Sequence, residues 1–190
     1  EQVQKQADGL PVYYTEWNGC ATFGAPGNDT RKVAAYDVRA ALSAEDFIDG
    51  SSIWCFSDIF EEIHPFPEEF HGGYGLVTQH GIAKPLFHAL RLLGQAGDKR
   101  LELPGALDGE VSVAAFRDAA DTQLTVLATK QNLHHYAGQS TPATPVEIEV
   151  ELDAKPQSVQ LCRIDEEHGN PLKCWQAMGE PEDMTPAQVQ

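Results

Sequence analysis

Leu10-Pro11-Val12-Tyr13-Tyr14-Thr15-Glu16-Trp17-Asn18 is an apolar, aromatic run that stops abruptly at polar groups. Apolar side chains packed continuously over so short a length suit a strand covered on both faces, as in a parallel sheet clad with helices. The flanking sequence agrees. Gly19 to Asp29 holds three Gly and a Pro and reads as a loop, and Thr30 is placed to cap a helix. Ala34, Val38, Ala41 and Leu42 then recur at helical spacing until Asp49-Gly50. A second buried strand follows, Ser51-Ser52-Ile53-Trp54-Cys55-Phe56-Ser57-Asp58-Ile59-Phe60, ending in Glu61 and Glu62. A loop rich in Pro and Gly runs from Ile63 to Gly81. Lys84-Pro85 opens another helix, with Leu86, Leu90 and Leu93 on one face and Gly94 as its C-terminal cap. Residues 1–100 thus read strand, helix, strand, helix, an α/β pattern with a parallel sheet. Two such units cannot close a barrel.

The texture changes between Leu101 and Gly109. Glu110–Arg117, Gln123–Lys130, Val146–Leu152 and Ser158–Ile164 alternate apolar with polar, which predicts half-buried strands of an antiparallel sheet. Spacers such as Gly138-Gln139-Ser140-Thr141-Pro142 separate them, so residues 101–190 read as a small β-sandwich. At the end, Thr185-Pro186-Ala187-Gln188 has the form of an N-cap, a Pro at the first helical position and a capping-box Gln.

Composition narrows the function. With 29 acidic against 13 basic residues and a formal charge of -16, the chain is a poor partner for nucleic acid or an anionic membrane, because phosphate binding draws on Lys and Arg. No apolar run approaches the ~18 residues of a membrane span, and the polar start Glu1-Gln2-Val3-Gln4-Lys5-Gln6 has no apolar signal core. Cys20, Cys55, Cys162 and Cys174 show no CxxC spacing and read as free buried thiols, with a Cys162–Cys174 bridge as the alternative. The seven His fall in no metal-ligand spacing, His134-His135 included, so no metal is expected. Gly72-Gly73-Tyr74-Gly75 lacks the Lys-Ser/Thr of a phosphate loop and suits close backbone packing. Ser57 and Ser112 have no legible His-Asp company. No cofactor is predicted.

What remains is carboxylate chemistry. Catalytic groups of an (α/β) barrel sit where strands end at their carboxyl side. Glu16 ends the first strand, Asp58 lies just inside the end of the second, and Glu61 and Glu62 lie just beyond it. Glycoside hydrolysis needs two carboxylates flanking the sugar, with aromatic rings to stack on its apolar face. Tyr13, Tyr14, Trp17, Trp54 and Phe56 supply the rings. On position alone, however, such acids are most often solvated charges.

The segment Pro11-Val12-Tyr13-Tyr14-Thr15-Glu16-Trp17-Asn18 resembles the nucleophile strand of the β-xylosidases of glycoside hydrolase family 39. Trp54 to Glu62 is similar to that family's next barrel strand, and Phe70-His71-Gly72-Gly73-Tyr74-Gly75-Leu76 with Gly81-Ile82-Ala83-Lys84-Pro85 to the loop and last barrel helix. Ile164 to Pro171, Trp175, Met178-Gly179 and Thr185-Pro186 look like the end of its accessory sandwich. The likeness runs in order along nearly the whole chain. It implies the last two strand-helix units of a (β/α)8 TIM barrel in residues 1–100, and an accessory β-sandwich in 101–190. It implies Glu16 as the nucleophile of a retaining β-xylosidase acting on xylo-oligosaccharides. It further implies that Trp54 and one or both of Glu61 and Glu62 line the sugar subsite, Glu62 the closer, with Trp17 and Phe56 beside them. Asp58 is read as a structural acid that holds loop amides. The segments around Glu16 hold no Arg from Leu10 to Asn28, which favours a neutral pentose.

The family's acid/base Glu belongs to an Asn-Glu-Pro segment on an earlier strand, and this sequence contains no Asn-Glu-Pro. A retaining mechanism needs both carboxylates roughly 5–5.5 Å apart, so the chain alone is expected to turn over xylobiose poorly. An open barrel edge also predicts association, with the missing N-terminal barrel half or between copies of the chain. The rival reading is a non-catalytic carbohydrate-binding or scaffold module in which the sandwich is the active part.

Overall fold

The computed structural model describes residues 2–59, 66, 68–107, 109–131 and 145–190. Glu61, Glu62, the His134-His135 pair and the spacer around Gly138–Pro142 lie outside the described residues. A short helix, α1 (Gln2–Gln6), precedes β1 (Tyr13–Trp17). A 3-10 turn over Pro26–Asp29 leads into α2 (Arg31–Ala44), whose first turn is capped as expected: the Lys32 amide donates to Thr30 Oγ1 at 3.2 Å. Then come β2 (Gly50–Ile53), α3 (Pro85–Gly94), β3 (Lys99–Leu101), β4 (Val111–Arg117) and β5 (Leu124–Lys130), followed by α4 (Pro171–Ala177) and α5 (Pro186–Val189). Gln188 accepts the Thr185 amide at 2.9 Å, so the capping box announced by the sequence is formed. No helix among the described residues is long and apolar enough to cross a membrane.

β1 and β2 pair in parallel, and β3, β4 and β5 form an antiparallel sheet in that order. Mixed α/β followed by an antiparallel sheet is therefore what the chain folds into. Several expected details differ. The second strand stops at Ile53, because from Cys55 onward the backbone bonds to residues 74–77 and leaves β1. Tyr74 O accepts from the Cys55 amide, Cys55 O from Leu76, Phe56 O from Val77, and Val77 O from Asp58. The apolar run Ser51–Phe60 thus serves two different partners, which periodicity does not distinguish. β1 is not buried: Tyr13 is 61% and Tyr14 45% exposed, because β2 is its sole sheet neighbour among the described residues.

Val146–Leu152 and Ser158–Ile164 form no strand, and Val159 and Leu161 stand 83% and 79% exposed. Alternation fixes which side chains share a face but supplies no hydrogen-bonding neighbour, and these segments meet none among the described residues. Gly94 is the last helical residue rather than the cap; Gln95 occupies that position in right-handed conformation, donating to Leu92 and Leu93. All four cysteines are free, but Cys162 and Cys174 are exposed and Cys20 and Cys55 only half-buried, so the expectation of buried thiols fails.

The core runs across both regions. Val33, Ala34, Val38 and Leu42 of α2 and Leu86 and Ala89 of α3 pack with Ala96 and with Ala114 and Phe116 of β4. Ile53, Leu76, Leu127 and Ile164 close its margins. β4 is therefore buried continuously at Ala114–Phe116 rather than on one face. Arg39 fastens α2 to the segment before β4, donating to Leu107 O at 2.6 Å and Gly109 O at 2.8 Å. Arg100 of β3 donates to Leu42 O at 2.8 Å. These bonds supply partners to carbonyls near the end of α2 and in the segment before β4.

Candidate active site

Glu16 is the penultimate residue of β1 and is exposed to solvent. The parallel ladder sets Tyr13 against Gly50 and Tyr14 against Ser51, then shifts register before Trp17 meets Ile53. Such an irregularity turns side chains relative to a plain strand, and this one brackets Glu16. Beyond it the two strand ends are laced together. The Trp54 amide donates to Trp17 O at 2.9 Å, and Asn18 Nδ2 donates to Trp54 O at 2.7 Å. Glu16, Trp17 and Trp54 are thereby held at one end of one sheet. Trp54 is 37% and Phe56 68% exposed, so rings lie open at the same end as a solvated carboxylate. Trp17 is half-buried, with its indole Nε1 buried and lacking an acceptor among the described residues.

The segments that follow β1 and β2 carry a charge cluster that sequence reasoning missed apart from Asp58. Lys84 is wholly buried at the N-cap position of α3, where it makes no side-chain cap and instead turns inward. Its Nζ lies 2.6 Å from Asp29 Oδ1, 2.6 Å from Asp58 Oδ2 and 3.2 Å from Gly73 O. An ammonium has three donors, and here each has an oxygen. The remaining carboxylate oxygens hold the glycine loop: Asp29 Oδ2 accepts from the Gly72 amide at 2.6 Å and Asp58 Oδ1 from the Gly75 amide at 2.8 Å. Asn28 Nδ2 donates to Gly72 O at 2.9 Å. Asp58 is thus the amide-holding acid that its position suggested. Burial lifts the Asp29 carboxyl above the ordinary range, against the pull of Lys84 and the Gly72 amide.

The glycines are required by this proximity. A Cβ on Gly75 would lie 2.3 Å from the Asp58 nitrogen, and one on Gly72, whose φ is +76°, would lie 2.6 Å from Ala25 O. The loop's aromatic members pack on one another: Phe66 stacks on His71 at 4.6 Å, and Phe23 meets Tyr74 edge-on at 5.1 Å. Tyr74 Oη donates to Ala21 O at 2.7 Å, joining the loop after β1 to the loop before α3. A further buried acid, Glu69, is paired with half-exposed His80 and accepts its amide at 3.2 Å. Among the described residues no group of three or more His, Cys, Asp and Glu has metal-binding geometry.

Comparison with known proteins identifies the family. The family model for Glycosyl hydrolases family 39 matches residues 1–190. A β-xylosidase of Geobacillus stearothermophilus is 33% identical over 172 residues, spanning 90% of this chain and 32% of that protein. A β-xylosidase of Caldicellulosiruptor saccharolyticus is 31% identical over 202 aligned positions, spanning all of this chain and 39% of that protein. Among solved structures, a GH39 β-xylosidase from Caulobacter crescentus superposes with a TM-score of 0.73 at 25% identity, over 100% of this chain and 39% of that one. The GH39 enzyme from Xanthomonas axonopodis pv. citri shares the fold, with a TM-score of 0.70 at 23% identity over 99% of this chain and 39% of that one. The chain spans about a third to two fifths of the length of the relatives it matches. On the match along its whole length, the chain belongs to glycosyl hydrolase family 39.

Proposed function

We propose that the chain is the C-terminal portion of a retaining β-xylosidase, with Glu16 as nucleophile. The observation that carries the reading is a solvated carboxylate at the carboxyl end of a parallel strand, with the neighbouring strand end tied to it through Trp17, Asn18 and Trp54. In this reading, residues 1–100 are the last two strand-helix units of a (β/α)8 barrel and residues 101–190 an accessory sandwich. The β-xylosidase names of the relatives support a carbohydrate substrate. Trp54, Phe56 and Trp17 supply apolar faces for the pentose, and one or both of Glu61 and Glu62, Glu62 the closer, accept bonds from its hydroxyls.

Glu16 attacks the anomeric carbon of a terminal β-1,4-linked xylose, the glycosidic C–O bond breaks, and the departing oxygen takes a proton from an acid that this chain does not supply. The resulting xylosyl ester on Glu16 is then hydrolysed by water deprotonated by the same group, giving net retention. The acid belongs to a preceding barrel segment, so the isolated chain lacks useful turnover on xylobiose. The test is to trap the intermediate on the full-length protein with a 2-fluoro-xyloside and locate the label. A label on the peptide containing Tyr14-Thr15-Glu16-Trp17 supports the assignment; a label elsewhere removes it.

A further inference from the structure

Asn18 follows β1 outside any strand and is half-buried. Its Nδ2 donates to Trp54 O at 2.7 Å, and its Oδ1 faces the Cys20 amide at 3.5 Å. The second contact closes a turn through the side chain, which folds Asn18 Cγ back over the Gly19 nitrogen. Any larger residue at position 19 would shield that nitrogen, but the packing forbids one. A Cβ on Gly19 would lie 2.7 Å from Asp37 Oδ1, 3.0 Å from the Tyr36 ring and 3.1 Å from the Val33 side chain. Asp37 is fully buried on α2, and neither of its oxygens has a well-formed hydrogen bond among the described residues. Its contact with the Gly19 amide favours the carboxylate with the turn in place. A proton acceptor is thus set against the N–H of an Asn-Gly step whose side-chain carbon is folded toward the same nitrogen.

We propose that Asn18–Gly19 is a self-modification site: with Asp37 as proton acceptor, the Gly19 nitrogen attacks Asn18 Cγ, and the product unties the ends of β1 and β2. The N–Cγ bond forms as the amide proton passes to Asp37. The Cγ–Nδ2 bond then breaks, and ammonia leaves with that proton, relayed by water. Water opens the cyclic imide at either carbonyl, leaving aspartate or isoaspartate at position 18. Either product replaces an N–H donor with a carboxylate, so nothing at that position donates to Trp54 O, and a negative charge arrives two residues from Glu16. Isoaspartate also lengthens the main chain by a methylene. For its effect on turnover the inference rests on the reading of Glu16 as nucleophile; the modification itself does not.

The experiment ages the full-length protein at pH 8, above both the ordinary 3.8 and the raised value of about 7 for Asp37, so its carboxylate is present. Peptide mapping follows the change from side-chain amide to acid at each asparagine. Loss is expected at Asn18. Asn28 stays intact because it is buried with its amide bonded to Gly72 O, and Asn170 because the proline nitrogen after it has no N–H to lose. On an aryl xyloside, kcat/KM falls in step with the modified fraction, and Asn18→Asp starts about tenfold or more below the wild type. Asp37→Asn slows the change at Asn18 by about tenfold or more. Asn18 intact after ageing, full activity in the modified protein, or an unchanged rate in Asp37→Asn each overturns the proposal. Should Asp37→Asn not fold, the wild type unfolded in urea decides: faster modification in the folded protein supports the part given to Asp37, and an equal or slower rate overturns it. Failure of the 2-fluoro-xyloside to label Glu16 removes the nucleophile reading alone, because the map at position 18 is read without substrate.

Discussion

Replacing Lys84 by Met keeps most of the side chain's volume and removes its charge, leaving the Asp29 and Asp58 carboxylates side by side in a buried site. Each now lies 2.6 Å from the ammonium, and each retains one backbone amide, from Gly72 and Gly75. Removing one partner of a buried pair costs about 3–5 kcal/mol. Protonation sets a ceiling. A carboxyl with an ordinary value of 3.8 is neutralised at pH 7 for roughly 1.4 kcal/mol per pH unit over about three units, near 4 kcal/mol, and at pH 5 for under about 2 kcal/mol. Once the cation is gone nothing from Lys84 opposes the burial that lifts the Asp29 carboxyl above its ordinary value, so the folded state binds the extra proton and stability falls as pH rises from about 4. Lys84→Met is therefore expected to lose about 3–5 kcal/mol at pH 7 and visibly less at pH 5, by urea unfolding at the two pH values with m held common. Adding Asp29→Asn and Asp58→Asn should recover much of the loss, because amides tolerate the site without a cation. A penalty below about 1 kcal/mol, or one that does not change with pH, would refute the reasoning.

Glu16→Gln should lower turnover of the full-length protein on aryl xylosides by about a thousandfold or more while leaving its unfolding midpoint in place, as read by steady-state kinetics and calorimetry. Asp37→Asn should stabilise the protein above pH 7: the folded carboxyl lies near 7 against an ordinary 3.8, so the wild type loses up to about 4 kcal/mol as pH rises between these values and the variant does not. Matching stability-versus-pH curves for the two would count against this. Gly75→Ala forces a Cβ to within 2.4 Å of the Ser57 carbonyl carbon and should cost about 1–3 kcal/mol or more. Gly81→Ala meets nothing within 4 Å and bears only the strain of its φ of +82°, about 1 kcal/mol, so thermal melts of the pair should separate clearly. His80→Ala removes the imidazole partner of the buried Glu69 carboxylate and should lower the melting temperature by the equivalent of about 1–3 kcal/mol.

How much of this was readable in the sequence depends on which partner each residue needs. The helices α2 and α3 were legible because their signals are local: Thr30 caps its own helix and Pro85 starts its own. β4 and β5 were legible to within one residue at their starts, since the alternation belongs to strands that do find each other. Val146–Leu152 carries the strictest alternation in the chain and forms no strand, because pairing is a property of two segments. At the site, the resemblance singled out Glu16, Trp17 and Trp54, and the structure lays their backbones together, but Glu61 and Glu62 fall outside the described residues. Lys84, Asp29, Glu69 and Asp37 were missed. Asp37 had a visible signal: it lies three residues after Ala34 and four before Ala41, on the apolar face of α2, where a carboxylate has no solvent to face. Lys84 offered a fainter one, a cation ahead of Pro at a position that rarely caps a helix. Neither signal names its partner, since Asp29 and Asp58 lie 55 and 26 residues away in sequence and only the fold brings them to the same ammonium.

The division of labour between these acids follows from where each meets water. Glu16 is exposed and has a carbonyl-laced strand end behind it, so its carboxylate is available to a ligand while its backbone is fixed. Asp29 and Asp58 are sealed and spend both oxygens on Lys84 and on glycine amides, so they are unavailable for chemistry and fix the Gly72–Gly75 loop. An ångström of misplacement costs a catalytic group about a hundredfold in rate, comparable with the cost of burying an ion cluster, so on the proposed reading of Glu16 a rigid charged clamp offsets its own desolvation. On the proposed reading of Glu16 as nucleophile and of Trp54 and Phe56 as rings that stack on the sugar, weakening the clamp through Asp58→Asn should reduce kcat of the full-length protein before it changes KM, because the nucleophile is needed in line only at the transition state. A variant whose KM rises while kcat holds would show that the clamp serves binding instead.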